Sequence, residues 1–143
     1  MWGAISVVVG MEWLIDETTQ YTRERKMFNK PLLDNQIIHF KLAELRTEIE
    51  LVRSLCYRAC EEYLDGKDVV LLASMAKLKA GRMMRLVTDG CLQYWGGAGY
   101  LWEAPTARAF RDARLASIGG GADEVMLQII AKGMGTLPRS SNA

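Results

Sequence analysis

Apolar residues recur at alternating four- and three-residue spacing along much of this chain, which is the period of one face of an α-helix. The clearest stripe is Ile38, Leu42, Leu45, Ile49, Val52, Cys56, Ala59 and Tyr63. A second stripe consists of Leu72, Ala76, Ala80, Met83 and Val87. No stretch of useful length alternates as a half-buried strand does. The pattern therefore predicts an all-α fold whose helices pack through these stripes.

Proline and glycine mark the expected helix ends. Asp34 or Asn35 can cap the second helix, Gly66 ends it, and Asp68 can cap the third. The predicted helices cover about 2–26, 35–65, 68–94, 104–114 and 122–134. We expect an antiparallel bundle of long helices followed by short ones, forming one domain over residues 1–137, and a tail over 138–143.

The first predicted helix begins at Trp2 without a capping residue, as the remainder of a longer helix would. Met1 is therefore interpreted as an internal methionine of a longer parent or as an alternative start. The opening apolar run has no basic leader and stops at Glu12, so neither a targeting signal nor a membrane span is expected.

Charge and cysteine content argue against several classes of function. The net charge of +1 gives no electrostatic reason to bind nucleic acid or an anionic membrane. An odd number of cysteines in helical sequence, with one histidine, argues against a disulfide framework or a zinc site. We expect the thiols and the tryptophans Trp13, Trp95 and Trp102 to serve packing. Arginines are nevertheless frequent along one stretch, at Arg82, Arg85, Arg108, Arg111 and Arg114.

The most specific pattern lies where the third helix is expected to end. It reads Gln93-Tyr94-Trp95-Gly96-Gly97-Ala98-Gly99-Tyr100, followed by Glu103, Arg108 and Asp112. Glycines at a helix end permit positive φ angles and close approach of a ligand to the backbone. Glycine content alone would favour a helix stop that binds nothing. Eight positions match at fixed spacing, namely Gln93, Gly96, Gly97, Gly99, Tyr100, Glu103, Arg108 and Asp112, and this makes the pattern specific.

This run resembles the signature of the acyl-CoA dehydrogenase C-terminal domain. The resemblance covers essentially the whole chain, but only the C-terminal third of a complete family member. It implies an FAD-dependent oxidoreductase of fatty acid metabolism that introduces a double bond between the α and β carbons of an acyl-CoA thioester. The family is commonly tetrameric through these helices, so a homodimer or homotetramer is implied. Gln93, Gly96 and Gly97 become candidate cofactor-binding residues.

An upstream stretch resembles the family's Arg-x-x-Phe-Gly element, which contacts the FAD of a neighbouring subunit. Arg25 and Phe28 hold the arginine and phenylalanine positions, and Asn29 replaces the glycine. Arg25 suits a pyrophosphate and Phe28 an adenine or ribose face; by itself, Arg25 would be a solvated surface charge. Gln36 matches a family glutamine near the same nucleotide, although a polar helix start explains it equally well.

The stretch Ile118-Gly119-Gly120-Gly121-Ala122-Asp123-Glu124-Val125 resembles a third family element. The resemblance makes Ala122 and Glu124 candidate flavin contacts and Gly121 a candidate substrate contact. Ala122 stands where the family has a threonine that contacts the flavin, and Gly119 where it has an aromatic residue. These replacements remove side chains that would hold a flavin here.

The glutamate that removes the α-proton in many members corresponds to Gly120, which cannot take a proton. The isovaleryl and long-chain branch also has glycine there, and its base comes from the start of the helix matched by residues 2–26. Counting back from Arg25, that base falls just upstream of Met1. No catalytic residue is assigned within the chain, and we expect it to be inactive alone.

The resemblance implies acyl-CoA as the substrate of the full-length parent and an electron-accepting flavoprotein as a candidate partner. It implies the mitochondrial matrix for a eukaryotic source and the cytoplasm for a bacterial one. Three alternatives stay open at this point. They are a non-catalytic bundle that assembles with or regulates full-length subunits, a family-like protein such as an oxidase, and a bundle that binds no FAD.

Overall fold

The structure is a computed structural model that describes residues 2–138, and it is almost entirely helical. The helices are α1 (Trp2–Glu24), α2 (Gln36–Leu64), α3 (Val70–Trp95), α4 (Pro105–Ala113) and α5 (Asp123–Gly133). Short 3-10 turns cover Leu32–Asp34, Gly96–Tyr100 and Arg114–Ser117. The all-α prediction is confirmed, with helix ends within about two residues of those expected, the usual uncertainty of such boundaries.

Helices α1, α2 and α3 form the core, and α2 runs antiparallel to the other two. Ion pairs between Arg46 and Asp16, and between Lys79 and Glu48, join α2 to both neighbours at 3.5 and 3.0 Å. Helix α1 runs parallel to α3, and the Cys91 thiol contacts the Leu14 carbonyl at 3.9 Å. Because α1 and α3 are parallel, their carboxyl-terminal ends lie side by side.

The predicted stripe of α2 is buried from Ile38 to Ala59, whereas Tyr63 at its end is 61% exposed. On α3, Gly81 permits close packing of the turn after α4. A β-carbon there would lie 2.7 Å from the Ala116 carbonyl oxygen. Cys91 is fully buried, and this burial raises the pKa of its thiol to about 11. The expectation of buried structural thiols therefore holds for Cys91.

The connection between α1 and α2 contains a feature that the sequence did not predict, a small antiparallel hairpin. Strands β1 (Lys26–Met27) and β2 (Lys30–Pro31) flank a two-residue turn. Phe28 and Asn29 have φ of 52° and 63°, which is the backbone of the turn that suits the twist of paired strands. Two-residue strands are too short to leave a periodic pattern, so only a break in the helix was expected.

Three other expectations are tested by the fold. Trp13 and Trp102 are 48% and 60% exposed, so core packing is wrong for both. Asp68 acts as predicted, since its carboxylate accepts a hydrogen bond from the Val70 amide at 2.9 Å. None of the helices within residues 2–138 is long and apolar enough to cross a membrane. The predicted tail lies outside the described residues, except for Pro138.

Candidate functional site

A groove of about 700 Å³ lies where α1 and α3 end together. It brings Arg25, which follows α1, to the same surface as Gln93, Gly96 and Gly97 at the end of α3. These positions are some seventy residues apart in the chain. Its remaining lining residues are Tyr21, Lys26, Met27, Leu32, Ile37, Ile38, Tyr94, Trp95 and Ala98. We call this surface the α1–α3 groove.

Stacked aromatic rings hold the two helix ends together in the wall of the α1–α3 groove. The Tyr21 and Trp95 rings lie 4.1 Å apart at an interplanar angle of 6°. The Tyr21 hydroxyl donates to the Trp95 carbonyl at 3.3 Å, and Trp95 Nε1 donates to Oγ1 of the fully buried Thr18 at 3.2 Å. These contacts fix the last residue of α3 against α1, and with it the glycine turn that follows.

The glycines of this turn differ in whether the backbone or the packing requires glycine at their positions. Gly96 has a φ of 57°, in the left-handed region that favours glycine. Gly99 has no room for a side chain, because a β-carbon there would lie 2.6 Å from that of Trp95. Gly97 has neither constraint: its φ is not left-handed and nothing lies within 4 Å of the β-carbon position. The open space beside Gly97 is available to a group from outside the chain.

Two polar side chains that line the α1–α3 groove, those of Arg25 and Gln93, are not used by the fold. The Arg25 backbone is pinned, since its amide donates to the Tyr21 carbonyl at 2.8 Å and its carbonyl accepts from the Leu32 amide at 2.7 Å. Within residues 2–138, neither the Arg25 guanidinium nor the Gln93 side-chain amide has a hydrogen-bond partner. A guanidinium fork and an amide with both donor and acceptor therefore face a groove that is open to a ligand.

Two predicted nucleotide contacts lie beside the α1–α3 groove rather than in its lining. Phe28 stands at the tip of the hairpin and is 91% exposed. Gln36 is the exposed first residue of α2, next to Ile37 and Ile38, which do line the groove. Phe28 and Gln36 therefore do not line the groove that holds Arg25, and both are exposed beside it.

The acidic and basic members of the signature after the glycine turn have a structural role. The Arg108 guanidinium donates to the carbonyls of Trp102 and Glu103 at 2.9 and 2.8 Å, which closes the turn before α4. Asp112 pairs with its neighbour Arg111 at 2.7 Å. Neither Arg108 nor Asp112 reaches the α1–α3 groove, so this part of the signature shapes the backbone.

The loop over residues 118–122 is held by cations of α3. Gly120 and Gly121 have φ of 66° and 104°, and Lys77 Nζ donates a hydrogen bond to the Gly121 carbonyl. At the start of α5, the buried Asp123 carboxylate accepts from Arg82 Nε at 3.2 Å and from Arg85 at 3.5 Å. A glycine-rich loop with little conformational preference of its own is thus anchored at Gly121 and at the first residue of α5.

This loop is not part of the α1–α3 groove. Lys77, which contacts the loop, precedes Gln93 by sixteen residues on α3, or about 24 Å along a helix. Gly121, Ala122 and Glu124 therefore form a second group of predicted site residues. Within one chain, this second group lies apart from the residues of the α1–α3 groove.

A separate groove of about 480 Å³ runs between the loop and the beginning of α1. Gly119 and Gly120 line it together with Gly3 and Ala4. Asp112 supplies the carboxylate among its lining residues, and that carboxylate is exposed and paired with Arg111. The described part of the chain places no glutamate in this groove.

Sequence reasoning missed four residues that build these surfaces. Tyr21 and Trp95 were not connected, because ring stacking between residues 74 positions apart leaves no local signal. Lys77 and Asp123 were missed for the same reason, since their partners lie on other elements. The sequence held one indication of their role: Tyr21 precedes Arg25 closely in the chain, and Trp95 lies between Gln93 and Gly96.

Comparison with known proteins agrees with this architecture. The model of the acyl-CoA dehydrogenase C-terminal domain matches residues 2–135. A cyclohexane-1-carbonyl-CoA dehydrogenase of Geobacter metallireducens is 40% identical over 121 residues, 85% of this chain and 32% of the relative. The mitochondrial long-chain specific acyl-CoA dehydrogenase of Sus scrofa is 38% identical over 125 residues, 87% of this chain and 29% of the relative.

Among solved structures, an acyl-CoA dehydrogenase from Geobacillus kaustophilus superposes with a TM-score of 0.89 at 36% identity. That match covers 92% of this chain and 35% of the solved one. The chain thus spans about a third of the length of the proteins it matches. The family match over residues 2–135, together with the shared helical architecture, places this chain in the acyl-CoA dehydrogenase family, as a C-terminal domain.

Proposed function

We propose that this chain is the nucleotide-binding and assembly portion of an FAD-dependent acyl-CoA dehydrogenase. The observation that carries the proposal is the convergence of Arg25, Gln93 and Gly97 on one open groove without internal partners. A guanidinium binds a diphosphate through charge-assisted hydrogen bonds. The open position beside Gly97 lets a ligand approach the backbone. Gly96 shapes the turn that presents these groups.

In this proposal, one FAD is shared between packed copies of the chain. One copy supplies Arg25, Phe28, Gln36 and Gln93, and the loop at Gly121 belongs to another copy. The separation of the two groups within one chain supports sharing, and so does the exposure of Phe28 at the hairpin tip. Ala122 and Glu124 extend the loop contribution. When bound, FAD supplies the acceptor for the hydride that leaves the β-carbon.

The loop over residues 118–122 is proposed to receive the acyl thioester. Glycine backbone presents amide groups without side-chain obstruction, and α5 begins directly after the loop. The α-proton must be taken by a group outside this loop, because Gly120 has no side chain. Gly3 and Ala4 line the same groove as Gly120. In the whole protein, we propose that the base comes from residues that precede α1, so the chain alone does not catalyse the reaction.

Assembly is proposed from the apolar residues that the single chain leaves exposed. Trp2, Val9 and Trp13 on α1 are 48–82% exposed, and Leu51 and Tyr57 on α2 are about as exposed. Such surfaces are unusual for a lone small domain and typical of one that packs against others. A homodimer or homotetramer is the proposed state. A separate regulatory role is not favoured, because the family match covers nearly the whole chain.

Two further proposals follow from the family. The acyl-CoA substrate and an electron-accepting flavoprotein would be partners of the whole protein. The proposed compartment is the mitochondrial matrix for a eukaryotic source and the cytoplasm for a bacterial one. A relative of each kind is known, one named as mitochondrial and one from a bacterium.

Titration of the chain with FAD, followed by flavin fluorescence, tests the nucleotide groove. We expect Arg25→Gln to weaken FAD binding at least about tenfold, because a hydrogen bond to a charged group contributes about 1.5–3 kcal/mol. The matched control is Arg23→Gln, two residues away, where the guanidinium contacts Gln20 at 3.4 Å outside the groove. Equal affinities for the two variants, or no FAD binding by the unmodified chain, would contradict the proposal.

A further inference from the structure

A second open groove, of about 720 Å³, lies between α3, α4 and the turn after α4. Four arginines line it: Arg82 and Arg85 from α3, Arg111 from α4 and Arg114 from the turn. We call it the arginine groove. The chain as a whole carries a net charge of only +1, so this is a local concentration of cations. None of the four belongs to the proposed flavin groove.

The charges around the arginine groove are only partly neutralised. Asp123 shares a single carboxylate oxygen between Arg82 and Arg85, at 3.2 and 3.5 Å. Each guanidinium has five N–H donors, so most of theirs are left over. Arg114 has no ion pair with any residue of the described range.

Arg111 is paired with Asp112 at 2.7 Å, and its guanidinium lies 4.7 Å from the centre of the Trp102 ring. These contacts hold the Arg111 side chain in place beside the groove. Asp89 is the acidic residue of the lining, and no cation within residues 2–138 pairs with it. The arginine groove thus offers several positively charged hydrogen-bond donors and one carboxylate acceptor, that of Asp89.

The floor of the arginine groove is apolar. Phe110 and Leu86 line it and are 46% and 59% exposed. An exposed aromatic ring and a leucine can cover the face of a planar ring system. The combination of an aromatic floor, guanidinium donors and one carboxylate matches a ligand that joins a planar amino-bearing ring to an anionic group.

We propose that the arginine groove binds a nucleoside diphosphate. Its phosphates contact Arg114 and the unused donors of Arg82 and Arg85, while its base packs on Phe110 and Leu86. The Asp89 carboxylate accepts from the exocyclic amine of the base. Arg85 precedes Gln93 by eight residues, about 12 Å along α3, so this site is separate from the α1–α3 groove and does not rest on the flavin proposal.

Calorimetric titration of the chain with ADP tests the site. We expect Arg114→Gln to weaken ADP binding at least tenfold and Phe110→Ala to weaken ADP but not inorganic pyrophosphate. Arg58→Gln, an exposed arginine on α2 paired with Glu62, is the matched control and should leave binding unchanged. Arg25→Gln should also leave it unchanged, because Arg25 lies in the other groove. Melting temperatures of all variants show that they fold.

Three results would overturn the proposal. They are no heat of binding up to millimolar ADP, equal ADP affinity for Arg114→Gln and Arg58→Gln, or loss of ADP binding in Arg25→Gln alone. The last would assign ADP binding to the α1–α3 groove. Pyrophosphate binding as tight as ADP binding, together with an ADP affinity that Phe110→Ala leaves unchanged, would remove the nucleoside from the assignment.

Discussion

The α1–α3 groove and the loop over residues 118–122 differ in whether the polar side chains around them are paired within the chain. In the groove, the fold fixes the backbone of Arg25 and the glycine turn but leaves the Arg25 and Gln93 side chains unpaired. In the loop, the side chains that surround the backbone are paired within the chain, through Lys77 and Asp123. Unpaired groups on a rigid support are typical of a ligand site, whereas paired ones are typical of structure. The difference separates groups available for binding from groups that hold a shape.

The largest loss of unfolding free energy is expected from Gly81→Ala, which acts where α3 packs against the turn that precedes the loop. The new β-carbon would lie 2.7 Å from a backbone oxygen of Ala116 and 3.0 Å from Ser117 Oγ. Overpacking against backbone costs about 2–3 kcal/mol of unfolding free energy. Urea denaturation measures it. Gly10→Ala is the control, because its nearest neighbour is the Met84 methyl group at 3.8 Å; equal effects would show that α3 does not pack closely on Ala116.

Raising the pH should weaken the core beneath the α1–α3 groove. The pKa of Cys91 is raised from 9.0 to about 11 by burial, so the folded state keeps a proton that the unfolded state releases. The resulting contribution to the free energy of unfolding is fully present below pH 9 and is lost as the pH rises from 9 to 11. It amounts to at most about 2.7 kcal/mol, at 1.36 kcal/mol per pKa unit.

Urea denaturation of the unmodified chain and of Cys91→Ala at pH 8 and pH 10.5 measures this loss. Tyrosines and lysines titrate in both proteins, so the difference in slope belongs to Cys91. Identical pH dependence in the two proteins would show that the thiol is not desolvated.

A smaller loss of stability is expected from Asp123→Asn. The amide cannot neutralise Arg82 and Arg85. Because the two guanidinium groups are only half-buried, the expected loss of unfolding free energy is about 1–2 kcal/mol. Amide hydrogen exchange should speed up over residues 118–122 and not at the glycine turn after α3. Asp65→Asn is the control, because its pairing with Lys67 is fully at the surface. Uniform protection in the loop would mean that Asp123 does not anchor it.

The smallest effect on stability is expected from Gly97→Ala, within about 0.5 kcal/mol, the usual range for an unconstrained surface position. The same change should lower FAD affinity at least tenfold, because the methyl group occupies the open space beside the turn. Gly99→Ala is the opposite case: its β-carbon would lie 2.6 Å from that of Trp95, so the turn itself is destabilised. Unchanged FAD affinity in Gly97→Ala would remove this glycine from the binding surface.

The helices were predictable from sequence because their stripes are periodic and their ends carry glycine or proline. The α2 stripe from Ile38 to Ala59 is buried as predicted. The hairpin at Phe28 was not predictable, because two-residue strands carry no period. Trp102 was misjudged because its contact, the Arg111 guanidinium, is a surface cation rather than core.

The candidate site was predictable only in part. The resemblance to two family motifs identified Arg25 and Gln93 separately, and their meeting depends on the parallel course of α1 and α3. The signature included Arg108 without showing that its partners are the carbonyls of its own turn. Lys77 was out of reach, because its hydrogen bond joins residues 44 positions apart.

The parallel course of α1 and α3 has an electrostatic consequence for the groove that they share. Every α-helix ends in carbonyl groups that carry about half a negative elementary charge. Two such ends therefore meet at one place, and by themselves they would repel an anion. Arg25 and Lys26 follow directly after the end of α1, where they offset this potential. Arg25 and Lys26 thus counter a helix-end potential that would otherwise oppose the entry of a negatively charged ligand.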